Sequence, residues 1–148
     1  VPMSKGLVML SERLVEAEQQ AALALAKAQQ DLKIFMEQQD ALNQYRQIYH
    51  QQWTDRGLQG IGAQQNSQYH AFINKLEQAA TQQYEGVLQV RQALELRREE
   101  WLAAQQRRKA VELLLAKQAG REQQKAQRQE QKMLDEYAML RRFHHSGL

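Results

Sequence analysis

The side chains of this chain best suited to metal or proton chemistry are its four histidines, His50, His70, His144 and His145, and their spacing serves neither. A zinc site on a helix needs ligands one turn apart, such as histidines at i and i+4, and no pair here stands in that relation. His144 and His145 read as part of a disordered tail. Cysteine is absent, which removes thiolate metal sites and disulfides and agrees with a cytosolic setting. The run GLQGIG, residues 57–62, has the glycine density of a phosphate-binding loop, yet no strand pattern precedes it and no Lys-Ser or Lys-Thr follows. General acid–base work needs carboxylates in a cleft, whereas Glu99, Glu100, Asp135 and Glu136 lie in sequence that reads as exposed helix. The expectation is therefore no enzyme, no metal and no cofactor.

The elements around these residues follow from composition. Only one proline and seven glycines interrupt a sequence rich in Gln, Ala, Leu, Glu, Lys and Arg, all good helix formers, so the fold class is all-α. No apolar run approaches the ~20 residues that span a bilayer, and the start lacks the charged-then-apolar order of a signal peptide. The chain reads as soluble and intracellular, with Val1 and Pro2 as an added leader before a native start at Met3.

Apolar residues recur at heptad spacing in two blocks. In the first, 3–53, Leu7, Leu14, Ala21, Ala28, Phe35, Leu42 and Tyr49 share one heptad position. Leu10, Ala17, Ala24 and Tyr45 share a second, interrupted by Asp31, Gln38 and Gln52. Three glycines, Gly57, Gly60 and Gly62, mark a turn over 54–68. The second block, 69–143, runs through Tyr69, Ile73, Leu76, Ala80, Val87, Val90, Leu94, Trp101, Ala104, Val111 and Leu115, broken by Gln83, Arg97 and Arg108. One narrow apolar stripe per helix is covered only if the helices fold back on each other, so the expected architecture is a single-domain, monomeric, antiparallel two-helix coiled-coil hairpin. The alanines at 17, 21, 24 and 28 then fall opposite Val90, Leu94 and Trp101, small against large. Two registers one heptad apart both place Leu7 level with a residue between 111 and 118. Helix beyond Gln118 overhangs from about residue 119, with Gly120 as a point of slight bending.

Two surfaces break the polar exterior. Near the turn, Leu42, Tyr45 and Tyr49 approach Phe72, Leu76 and Ala79, with Phe72 and Ala79 one position off the seam. This cluster either seals the hairpin or forms a docking site. On the overhang, Met133, Tyr137 and Leu140, with Leu134 and Phe143 nearby, form an apolar stripe after the polar run 119–132. Residues 91–132 carry eleven Lys/Arg against six Glu, a surplus that suits an acidic protein or nucleic acid. Nucleic-acid binding would need base-stacking residues within that run, and only Trp101, placed in the seam, lies there.

The blocks LNQYRQIY, TDRGLQGIG, YHAFINKLEQA and QKMLDEYA resemble those of the FliJ family of flagellar export proteins. The resemblance implies a stalk, similar to the γ subunit of rotary ATPases, seated in a hexameric flagellar export ATPase and reaching the membrane export gate protein, with export chaperones as further partners. It implies gate binding by Gln38, Leu42, Tyr45, Tyr49, Phe72, Leu76, Ala79 and Gln83, where Gln83 replaces a histidine found in one form of the pattern. It implies ATPase binding by Lys132, Met133, Asp135, Glu136, Tyr137, Leu140 and Arg141, and a cytoplasmic protein held peripherally at the inner-membrane export apparatus. The equivalent stalk of a virulence-type injection system shares fold and mechanism, and no nucleic acid is expected as a partner.

Overall fold

The computed structural model describes residues 2–60 and 62–146, and these form two long α-helices, α1 (Pro2–Gly57) and α2 (Ala63–Ser146), folded back as a helical hairpin. The connection is shorter than the expected 54–68. α1 continues past Trp53, with the Thr54 hydroxyl donating to the His50 carbonyl at 3.0 Å and the Leu58 N–H to the Thr54 carbonyl at 3.3 Å. Gly57 is well tolerated at a helix end, and Gly60 takes a φ of +86°, which a side chain would resist. Gln64, Gln65 and Gln68, expected in the turn, belong to α2. At the other end α2 includes His144 and His145, so these are helical rather than a disordered tail. Val1, the first of the expected leader residues, lies outside the described residues.

Exposure along α1 shows which side chains face α2. Leu7, Leu14, Ala21, Ala28, Phe35, Leu42 and Tyr49 are buried or half-buried, as expected. The companion line is not the expected one. Ser11, Glu18, Leu25, Leu32, Gln39, Arg46 and Trp53, four residues after each member of the first line, are half-buried. Of the line three residues after, Ala24 and Asp31 are half-buried while Leu10, Ala17, Gln38, Tyr45 and Gln52 face solvent, Leu10 at 43% and Tyr45 at 49% exposure. Counting apolar residues passes over the true line because it contains Ser, Glu, Gln and Arg. Two of these can sit there because their charges are answered across the seam, Glu18 by Arg108 and Arg46 by Glu77. On α2 every residue of the expected stripe is buried or half-buried, and the supposed interruptions Gln83, Arg97 and Arg108 are half-buried too.

Contacts divide the chain, expected as a single domain, into two compact units, Gln19–Leu102 and residues 1–18 with 103–148. Within Gln19–Leu102 a few matched pairs set the register. Phe35 lies so close to Gly86 that a Cβ there would stand 2.8 Å from the ring. The Gln83 amide donates to the Phe35 carbonyl at 2.9 Å, and Arg46 bonds both oxygens of Glu77 at 2.6 and 2.7 Å. Beside the turn, Tyr69 is 7% exposed, stacked on Trp53 at 3.8 Å and parallel to Tyr49 at 5.7 Å, with its hydroxyl 2.8 Å from His50 Nδ1. Burial first, and then the neighbouring Tyr49, raises the Tyr69 pKa above the ordinary 10.0. Of the alanines expected against large side chains, Ala28 is buried and Ala21 and Ala24 are half-buried, as are Val90, Leu94 and Trp101.

In the other unit Arg108 is the hub. Its guanidinium bonds Glu18 on α1 and, at 2.8 Å, Glu112 one turn along α2, and these two hydrogen bonds, the Glu18 one first, raise its pKa further. The Glu18–Arg108 pair joins α1 to α2 within this unit. Ala104 and Val111 are buried, Leu115 and Gln118 half-buried, and every described side chain from Ala119 to His145 is exposed. Ala17, expected opposite a large side chain, is exposed.

The Phe35–Gly86 contact has a sign that can be read. A methyl at 86 gains about 1 kcal/mol in helix propensity, but displacing the ring costs about 1–3 kcal/mol. Gly86→Ala should therefore be neutral to destabilising in the native chain and stabilising in a Phe35→Leu background. Urea melts of the four chains decide it, and stabilisation by Gly86→Ala in both backgrounds would show that the ring moves aside freely. Tyr69 makes a second expectation. Below its unfolded pKa the phenol is protonated in both states and its contribution is whole; above it the unfolded chain loses the proton first, so stability falls as pH rises through the higher folded value. Between about pH 9 and pH 11 the urea midpoint of the native chain should fall more steeply than that of Tyr69→Phe, and parallel slopes would remove Tyr69 as the cause.

Candidate functional site

Two surfaces of the fold expose large apolar side chains. The first lies on Gln19–Leu102 beside the turn, where α1 supplies Leu42, Tyr45 and Tyr49 one turn apart and α2 supplies Phe72, Leu76 and Ala79. The Phe72 ring is 4.4 Å from Tyr49 and meets Tyr45 edge-on at 6.3 Å. Phe72, expected off the seam, is half-buried by these rings, as are Leu42 and Tyr49. Leu76 is 8% exposed and supports the patch from below rather than forming its surface. Tyr45 and Ala79 are the exposed members of the patch. Further along, Gln83 is turned inward to the Phe35 carbonyl and touches Gln38 Oε1 at 3.4 Å, so two of the residues implied for the gate are tied to each other.

The second surface is the overhang. Met133, Tyr137 and Leu140 are 69%, 64% and 68% exposed, and Lys132, Asp135, Glu136 and Arg141 are exposed around them. The Gln131 amide donates to Asp135 Oδ1 at 3.1 Å along the helix. Val111, Leu115 and Gln118 face α1, and steps of four and three residues lead from them through Glu122, Ala126 and Gln129 to Met133, Tyr137 and Leu140. The apolar stripe is thus the seam face of α2 carried past the end of its cover. A row of cations, Lys117, Arg121, Lys125, Arg128 and Lys132, lies on another face, since Lys132 and Met133 are about 100° apart around the helix. None of the five joins an ion pair among the described residues.

The exposed side chains of the two surfaces are apolar, amide and charged groups. Among the described residues no cluster of His, Asp and Glu could hold a metal ion, and no helix is long and apolar enough to cross a membrane. Sequence reasoning missed the clasp of Trp53, Tyr69 and His50, although Tyr49 and Trp53, one turn apart at the end of the heptads, were a signal that an aromatic from α2 would insert beside them.

The chain matches the model of the family described as the flagellar FliJ protein over residues 4–147. Comparisons with curated proteins and with solved structures give no match. Since the family match takes in both helices, the turn and the overhang, the chain belongs to the flagellar FliJ protein family.

Proposed function

We infer from membership of that family that the chain is a component of the flagellar export apparatus. We propose that it acts there as a non-enzymatic stalk, binding the hexameric export ATPase through its overhang, promoting assembly and activity of the ring, and linking it to the membrane export gate protein. The observation that carries this reading is the seam face of α2 continuing, uncovered, through Met133, Tyr137 and Leu140. Full burial of each against a partner supplies about 1.5–3 kcal/mol before entropy losses, enough to anchor a helix in a groove. Lys132, Asp135, Glu136 and Arg141 rim that stripe. The cation row from Lys117 to Lys132 suits an acidic lining, so association is salt-sensitive.

At the other surface Tyr45 and Ala79, with Tyr49, Phe72, Leu42, Gln38 and Gln83, dock the gate protein's cytoplasmic part while Leu76 holds the patch in shape. The protein works as a monomer on the cytoplasmic side, held at the inner membrane by its partners, and export chaperones are further partners. Family membership favours the flagellar apparatus over an injection system. A nucleic-acid partner is disfavoured because the cation row contains no aromatic side chain and Trp101 is half-buried.

Truncation after Gln131 should leave the melt of the hairpin unchanged, because no described side chain beyond Gln118 is covered. The same truncation should abolish most stimulation of ATP hydrolysis when the protein is added to the export ATPase. Undiminished stimulation would show the stripe to be idle, and a lowered melt would show that it folds back on the hairpin. At the patch, Tyr45→Ala with Ala79→Asp should lower the melt only by the partial cover that Tyr45 gives Phe72 and leave the hairpin folded, yet weaken gate binding by roughly tenfold or more, as expected for loss of an aromatic anchor. Calorimetric titration of the gate protein's cytoplasmic domain measures this, and native affinity in the double variant would remove the patch from the interface.

A further inference from the structure

Beyond the patch, at the turn itself, the Trp53 and Tyr69 rings line a cleft of about 510 Å³ within Gln19–Leu102. That volume lies in the range of ligand sites, about 300–1,000 Å³. Its rim carries Gln52, Arg56, Gln65 and Gln68, and the side chains of these four make no hydrogen bond or ion pair with the described chain. No carboxylate among the described residues lines the cleft, so Arg56 gives it positive charge.

The chemistry of these groups selects a ligand. A glutamine amide offers one acceptor and two donors, the complement of a peptide group, and several around one cleft can pair with an extended backbone. A guanidinium fork matches a carboxylate. A nucleotide fits poorly: Trp53 and Tyr69 are stacked on each other at 3.8 Å with planes 4° apart, which leaves no slot between rings for a base, and one cation is too few for a phosphate chain. We propose that the cleft at the turn is a peptide-binding site for an extended acidic segment of a partner protein, its carboxylate on Arg56 and its backbone on the glutamine amides. The site lies outside the residues assigned above to the gate, apart from Tyr49 on its wall, and it stands whether or not the overhang enters an ATPase.

The test is a selection of random dodecapeptides displayed on phage against the full chain, followed by synthesis of the enriched peptides. Enriched peptides should carry Asp or Glu and shift the backbone amide resonances of Gln52, Arg56, Gln68 and Tyr69. They should bind Arg56→Glu and Arg56→Gln roughly tenfold or more weakly, the usual loss of a charge-assisted pair. Arg98→Glu, an exposed charge on α2 that does not line the cleft, should bind as the native chain does. Arg56 is exposed, so both variants should keep the native melt; were Arg56→Glu to lose it, Arg56→Gln carries the comparison. The proposal is overturned by recovery of no binding peptide, by peptides without acidic residues, by affinity indifferent to Arg56, or by shifts confined to residues outside the cleft.

Discussion

Each helix of this chain has a single narrow stripe of side chains that avoids water, and the only cover for one stripe is the other. A globular domain spreads its apolar groups over several faces and can lose one contact without losing its plan. Here the seam is the whole core, and its thinness shows in the absence of any fully enclosed large side chain among the described residues. The consequence is geometric. Along α2 the change from the half-buried Gln118 to continuous exposure marks where the cover given by α1 ends. The orphaned Gln118 Oε1, buried without a partner, sits at this boundary.

A seam made only of Leu and Ala would slide, because one heptad resembles the next. What pins it is the polar content. Glu18 with Arg108, Arg46 with Glu77, and Gln83 with the Phe35 carbonyl are pairs that a shift of one heptad would break, leaving charge or amide against the stripe. The Phe35–Gly86 contact adds shape to charge, since no other position of the chain offers a glycine within the covered length of α2. Surface ion pairs contribute little to stability, about 0–1 kcal/mol, so their value here lies in register rather than strength.

This division explains what could be read from sequence. The fold class, the hairpin and the place where cover runs out follow from apolar spacing and chain length, because they depend on the stripe as a whole. The α2 stripe could be read residue by residue, since its polar members are few. The α1 companion line could not, because Ser11, Glu18, Gln39 and Arg46 look like surface residues until their partners across the seam are known. The turn was drawn too long for a similar reason: three glycines suggest broken helix, but only Gly60 uses a backbone angle that a side chain would resist. At the patch, proximity of Tyr45, Tyr49 and Phe72 was legible, whereas burial of Leu76 and the inward turn of Gln83 depend on packing geometry.

The bare helix after Gln118 raises its own physical question, since an isolated helix of that composition would be only marginally stable in water. Here nucleation, the unfavourable step, is already complete, because the segment extends a helix that the seam holds, and each further residue adds one backbone hydrogen bond. The residues from 119 to 132 are nearly all strong helix formers, and local support such as the Gln131–Asp135 bond continues into the stripe. Polar residues in that run thus keep the apolar stripe presented on a folded helix without giving water a longer greasy face to avoid. A partner that receives Met133, Tyr137 and Leu140 meets side chains already spaced by the helix, so the ordering cost that weakens the docking of disordered segments is largely absent.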